Sequence, residues 1–187
     1  MKKIVFNENE LRDKKLNFNV FCLMQLNAEE QKEKLELCTR NMKSFKYGLK
    51  LGRKDIYNIF DECGYIREKC TTLRREAVTK NGVFSNYTYL SFAYENRNIL
   101  EVEEEKLMKV VSKNNSKLTK LYLFLLLSTR DMSIIISQKD LLLSIGLSPR
   151  SEGALKKMTE LLVKENLLEI IRFRDSKGVK KIQYKAY

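Results

Sequence analysis

Twice along this chain a helical hydrophobic period gives way to an alternating one that folds back through a basic hairpin. In "GRKDIYNIFDECGYIREKC" the residues Ile56, Ile59, Phe60 and Cys63 recur at helical spacing as far as Gly64. Gly64 suits a helix stop, because glycine enters a left-handed C-terminal cap without steric cost. Beyond it, Tyr65, Ile66 and the residues to Val78 have strand composition, and "KNG" at 80–82 signals a tight turn. "VFSNYTYLSFAY" then returns with Phe84, Tyr87, Tyr89 and Phe92, as a strand would. A fainter version of the same change lies in "ENLLEIIRFRDSKGVKKIQYKAY", residues 165–187.

The segments before each hairpin read as helices. In the first half "LNFNVFCLMQL" (16–26) carries a dense apolar stripe and predicts a core helix. "NAEEQKEKLEL" (27–37) either extends it or forms a polar excursion. Thr39 is a candidate cap for a helix over 39–49, and 52–63 is a further helix. In the second half Ser116 is a candidate cap for "SKLTKLYLFLLLS", followed by the β-branched run "SIIIS". Ser137 can cap "QKDLLLSIGL", with Leu141, Leu142 and Ile145 inward. Ser148-Pro149 predicts the start of a third helix over about 149–165, burying Ala154, Leu155, Met158, Leu161 and Leu162. Between the halves, "EVEEEKLMKVVSKNN" (101–115) reads as a linker helix with a solvated acidic front end.

Composition narrows the chemistry. The 187 residues contain no histidine, which removes the usual general base and every Ser-His or Cys-His nucleophile arrangement. Cys22, Cys38, Cys63 and Cys70 form no C-x-x-C pair, so no cysteine/histidine zinc site is expected and the thiols read as free and structural. No P-loop, dinucleotide fingerprint or paired-carboxylate signature occurs, so the reading is a non-enzyme without cofactors. No apolar run reaches the ~18–20 residues of a membrane span, and the N-terminal apolar run is too short for a signal peptide. The expected location is the cytoplasm.

The formal net charge is +12, with excesses of +6 in residues 1–98 and +7 in 115–187 and −1 between them. Two basic halves flanking a slightly acidic segment suit two polyanion-binding units better than one basic tail.

These residues resemble a known family. "FNENELRDKKLNFNVFCLMQL" resembles the opening of winged helix-turn-helix domains in phage and plasmid replication proteins, where a short strand leads to Leu-x-Asp-x-x-Leu-Ser and a helix. Leu11, Asp13 and Leu16 match, and Asn17 stands where serine is common. "IFDECGYIRE" is similar to the end of their recognition helix and the start of the wing, and "KNGVFSNYTYLSF" to the returning strand. The likeness covers residues 5–94, with an atypical segment at 27–50, and is generic over 116–187. It implies a mostly α chain with small β-hairpins (α+β). Winged helix-turn-helix domains at 1–98 and 116–187 would be joined by a linker helix at 99–115. Tandem winged helices occur in plasmid replication initiators. They also occur in kleisin-associated chromosome-segregation proteins, whose acidic character the +12 charge does not match.

The expected partner is double-stranded DNA at an origin or operator of a phage- or plasmid-like element, bound in replication initiation or transcriptional control. Homodimerisation or a replication or nucleoprotein partner is compatible with this, and no membrane is involved. Recognition helices read base edges in the major groove with residues near their N-termini. The candidates are Lys50, Arg53, Lys54 and Asn58 in the first half, and Arg150, Ser151, Lys156 and Lys157 in the second. The wings would supply phosphate and minor-groove contacts through Arg67, Lys69, Arg74, Arg75 and Lys80, then Arg172, Arg174, Lys177, Lys180 and Lys181. Tyr87, Tyr89, Phe92 and Tyr94 read as one core face or as a stacking platform for single strands. A second class of function stays open: a winged-helix module that docks a protein, such as a phage-encoded inhibitor of a CRISPR effector.

Overall fold

The computed structural model describes residues 1–38, 71–78, 84–130 and 132–187, with the side chains of 71–78 and 84–88 excepted. The expected helices over 39–49 and 52–63 and the expected cap at Gly64 lie outside the described residues. The chain divides into two compact units, and the division is not linear. Met1–Asn7 and Lys15–Glu104 form the first; Glu8–Lys14 and Glu105–Tyr187 form the second.

The described part of the first unit is built around one buried helix. Strand β1 (Lys2–Phe6) pairs antiparallel with β6 (Asn98–Val102), with Ile4 opposite Leu100. Helix α2 (Phe18–Leu26) is apolar on nearly every side, and all nine of its residues are buried. Asn17 caps it, accepting from the Val20 N–H at 3.4 Å. Gln25 would be a costly guest in this core without partners. Its Oε1 accepts from the Val5 N–H at 2.6 Å and its Nε2 donates to the Val5 carbonyl at 3.0 Å, which fastens the helix to β1. Edge-to-face rings continue the packing: Phe6–Phe18 centroids are 5.9 Å apart and Phe21–Phe92 5.6 Å.

Against α2 lies a four-stranded antiparallel sheet in the order β2 (Glu29–Gln31), β3 (Lys34–Cys38), β5 (Phe84–Ala93), β4 (Thr71–Val78). Leu35 pairs with Phe92 and Leu37 with Leu90, and all four are buried on one face. The 27–37 segment is therefore a hairpin, neither a helical extension nor a polar excursion. Leu35 and Leu37 alternate inward while Lys32 and Glu33 make the turn. Residues 99–102, expected at the start of a linker helix, belong to strand β6 for the same reason: Leu100 and Val102 alternate inward beside β1.

The second unit contains α1 (Glu8–Arg12), α3 (Glu104–Val111), α4 (Ser116–Ser128), β7 (Ile134–Ile135), α5 (Gln138–Ser144), α6 (Glu152–Lys164), β8 (Leu168–Arg174) and β9 (Lys180–Ala186). Its sheet runs β7-β9-β8, with Ile134 opposite Tyr184 and register from Leu168↔Ala186 to Arg174↔Lys180. Asn115, not Ser116, caps α4: its Oδ1 accepts from the N–H groups of Lys117 and Leu118 at 3.1 and 3.2 Å. Ser137 caps α5, accepting from the Asp140 N–H at 3.1 Å while its hydroxyl donates to Asp140 Oδ2 at 2.6 Å. Ser148-Pro149 forms a turn rather than the start of a helix. The Ser148 carbonyl accepts from the Ser151 N–H at 2.9 Å, its Oγ accepts from the Arg150 N–H at 3.3 Å, and α6 begins at Glu152. The buried stripe of α6 is consequently Leu155, Met158, Thr159 and Leu162, which leaves Ala154 exposed and Leu161 only half-buried.

Two helix ends close alike. Gly146 takes φ +72° after α5, with the Leu147 N–H donating to the Leu142 carbonyl at 2.9 Å. Asn166 takes φ +59° after α6, with the Leu167 N–H donating to the Leu162 carbonyl at 2.9 Å. Gly146 has a second reason to be glycine: a Cβ there would stand 2.3 Å from the Arg12 carbonyl oxygen. Beside that contact Lys120 Nζ donates to the Asp13 carbonyl at 2.6 Å. Residues 8–14 are thus built into the second unit.

The expectation of a mostly α chain is overturned. Among the described residues strand is nearly as abundant as helix, in three antiparallel sheets, and the fold class is mixed α+β. The described part of the first unit is a four-stranded sheet and a two-stranded ribbon around one helix, because alternating segments at 29–38 and 98–102 join the hairpin strands.

Candidate nucleic-acid interface

The site is built on the β8–β9 hairpin and the helix before it. In an antiparallel ladder, directly opposed residues share a face. Leu168, Tyr184 and Ala186 occupy one face at the base and are buried in the core. Further out, that face carries Ile170, then Arg172 opposite Ile182, then Arg174 opposite Lys180, with all three cations exposed. The hairpin thus changes along its length from a core surface to a cationic one without changing face.

Asp175 organises the tip. Its Oδ1 accepts from the N–H groups of Lys177 and Val179, each at 2.9 Å, and its carbonyl accepts from the Gly178 N–H at 2.9 Å. Arg174 Nη1 donates to the Gly178 carbonyl at 3.0 Å. Lys177 is exposed at the turn. Lys181 points to the opposite face from Lys180, with its Nζ 3.9 Å from Asp175 Oδ2. Of the five expected cations, Arg172, Arg174 and Lys180 share the face described above, Lys177 is at the tip, and Lys181 is turned away.

On α6, Lys156 and Lys157 are exposed, and Lys156 lies 3.9 Å from Glu160, an exposed pair of little energetic weight. Arg150 and Ser151 precede the helix in the 148–151 turn. A cleft of about 330 Å³ separates α6 from the sheet, with Gln138, Glu152, Lys156, Thr159, Arg172 and Tyr184 on its walls. Gln138 and Tyr184 are members that sequence reasoning missed. Tyr184 was legible only as an inward position of an alternating strand, and Gln138 only as the residue after the Ser137 cap. Burial pushes the Tyr184 phenol upward in pKa, with Arg172 opposing, so its hydroxyl stays protonated and able to donate.

Lys50, Arg53, Lys54, Asn58, Arg67, Lys69 and Lys80 lie outside the described residues. Arg74 and Arg75 lie in β4, in register with Thr88 and Tyr87. Phe92 is buried against Phe21, whereas Tyr89 is one position out of phase with it and half-buried, so the aromatics of 87–94 do not form one face. Tyr94 lies near Lys3, whose Nζ is 6.0 Å from the ring centroid.

Cys22 is buried, which pushes its thiol far above the ordinary range, and Cys38 is half-buried; both are free. Among the described residues no cluster of acidic and cysteine side chains could hold a metal ion. No described helix is long and apolar enough to cross a membrane. Comparison with protein-family models and with curated proteins gives no match.

Proposed function

We propose that the second unit binds double-stranded DNA in the manner of a winged helix-turn-helix, at a specific site such as an origin or operator. The observation that carries the reading is the run of Arg172, Arg174 and Lys180 along the sheet face that packs on the helices at its base. The order α4, β7, α5, α6, β8, β9 and the strand pairing β7-β9-β8 support it as well. In this reading α6 and the preceding Arg150 approach base edges in the major groove, and the hairpin lies along the phosphate backbone.

The test is titration against a selected duplex and a scrambled one at several salt concentrations. Log K should fall by ~0.9 per log unit of salt for each phosphate neutralised. Lys177→Ala with Lys180→Ala should weaken both duplexes alike and lower the slope by up to about two units. Arg150→Ala should cost ~1–3 kcal/mol on the selected duplex and less on the scrambled one. Salt-insensitive behaviour, or no binding at low salt, would sink the proposal.

A second reading rests on the outer face of the same sheet, where Ile135 is 55% and Ile171 45% exposed. A protein partner seated there would bind with little dependence on salt, and substitution of those isoleucines, not of the cations, would abolish it.

A further inference from the structure

The cleft between α6 and the sheet is lined by donors from three elements. Tyr184 is only 2% exposed, lies on the cleft wall, and its hydroxyl makes no hydrogen bond among the described residues. A ligand that accepts from it makes a hydrogen bond that the described residues do not supply. Lys156 reaches the same cleft from α6 and Arg172 from β8. Glu152 and Gly153, in the first turn of α6, also line it, and Ser151 makes no side-chain cap bond to that turn. The start of α6, with the positive end of the helix dipole, therefore stands at the cleft wall without a side-chain cap from Ser151.

We propose that this cleft binds one phosphodiester of the DNA backbone, with the Tyr184 hydroxyl donating to a phosphate oxygen between Lys156 and Arg172. The proposal rests on the DNA-binding reading and assigns one contact within it. Two cations against the Glu152 carboxylate leave a net positive lining that suits an anion, and the DNA-binding reading makes that anion a phosphodiester. Thr159 also lines the cleft, but its hydroxyl already donates to the Lys156 carbonyl at 2.9 Å, so it is not one of the donors.

Tyr184→Phe removes one oxygen and leaves the ring that fills the core. Full-length variant and wild type are compared for melting temperature and for duplex affinity across a salt series. The expected result is an unchanged fold and ~10-fold weaker binding, the scale of one hydrogen bond to a charged group. The salt slope should stay the same, because a neutral donor releases no counterion. Lys156→Gln, at an exposed position, should lower the slope by ~0.9 instead. In a duplex series carrying one methylphosphonate at a time, a single position should weaken wild type ~10-fold and leave Tyr184→Phe no weaker than before. Equal duplex binding by wild type and Tyr184→Phe overturns the proposal, as does the lack of such a position. Inorganic phosphate that shifts the Tyr184 ring resonances and displaces the duplex at micromolar concentration assigns the cleft to a free monoester, which also overturns it. If wild type binds no duplex at low salt, the DNA reading itself falls and takes this contact with it.

Discussion

Lys120 is an ammonium in an unusual place for a surface-loving side chain. It is 4% exposed in α4, and burial lowers its pKa to about 8, with Asp13 opposing and Lys117 assisting. In the unfolded chain the same group titrates near the ordinary lysine value of 10.5. Between those two values the unfolded state holds more protons than the folded one, so this group makes stability rise as pH increases from about 8 toward about 10.5. Below pH 8 both states are protonated and the full cost of burying the charge applies, a cost the hydrogen bond to the Asp13 carbonyl offsets in part. Lys120→Met should lack that rise. Wild type should therefore gain stability relative to the variant as pH rises from 7 to 10, and parallel curves would exclude the assignment. Nothing in "SKLTKLYLFLLLS" distinguishes Lys120 from Lys117, because both lie on a helix whose far contacts the local pattern does not contain.

At the scale of elements, the docking of α1 on the second unit depends on what Gly146 lacks. Gly146→Ala combines a left-handed backbone, which costs ~1–2 kcal/mol for a residue with a Cβ, with a clash against the Arg12 backbone that no side-chain rotation relieves. A loss of 2–4 kcal/mol, roughly, is expected by chemical denaturation. Gly178→Ala, with φ +75° but open space around it, should lose only the ~1–2 kcal/mol backbone part. Equal losses would show that residues 8–14 do not press on Gly146. The local elements of the second unit were largely legible: Ser137, the inward Leu141, Leu142 and Ile145, and the 176–178 turn are all written in adjacent residues. What was not legible depended on partners far along the chain. β6 needs β1, and β3 needs β5 some fifty residues later, so short alternating runs at 34–38 and 98–102 carried little signal alone. Ser148-Pro149 failed for the opposite reason, since a local turn competed with the helix start and won.

For the whole molecule, the cationic surface of the second half was readable from sequence as a set of residues, though its sidedness was not. Which of Lys180 and Lys181 shares a face with Arg172 follows from register, and register requires both strands. Likewise the cleft needed three elements brought together, which no spacing in the sequence records. The unit boundaries carry a measurable consequence. A fragment of residues 105–187 lacks residues 8–14, so it uncovers Lys120 and the backbone at Gly146. It should melt well below a version co-folded with a peptide of residues 7–15, and that peptide should raise its melting temperature in a concentration-dependent way. No effect of the peptide would mean that α1 contributes nothing to the second unit's stability.

The chain therefore enters the second unit, leaves it, and returns about ninety residues later. A gene can hand on a contiguous domain by one recombination at each flank, but this unit is encoded in two pieces on either side of most of the other. Any exchange that moved residues 105–187 into a new context would leave a helix behind, and would deliver a binding surface on a weakened base. The two halves of this protein are in that sense heritable only as a pair.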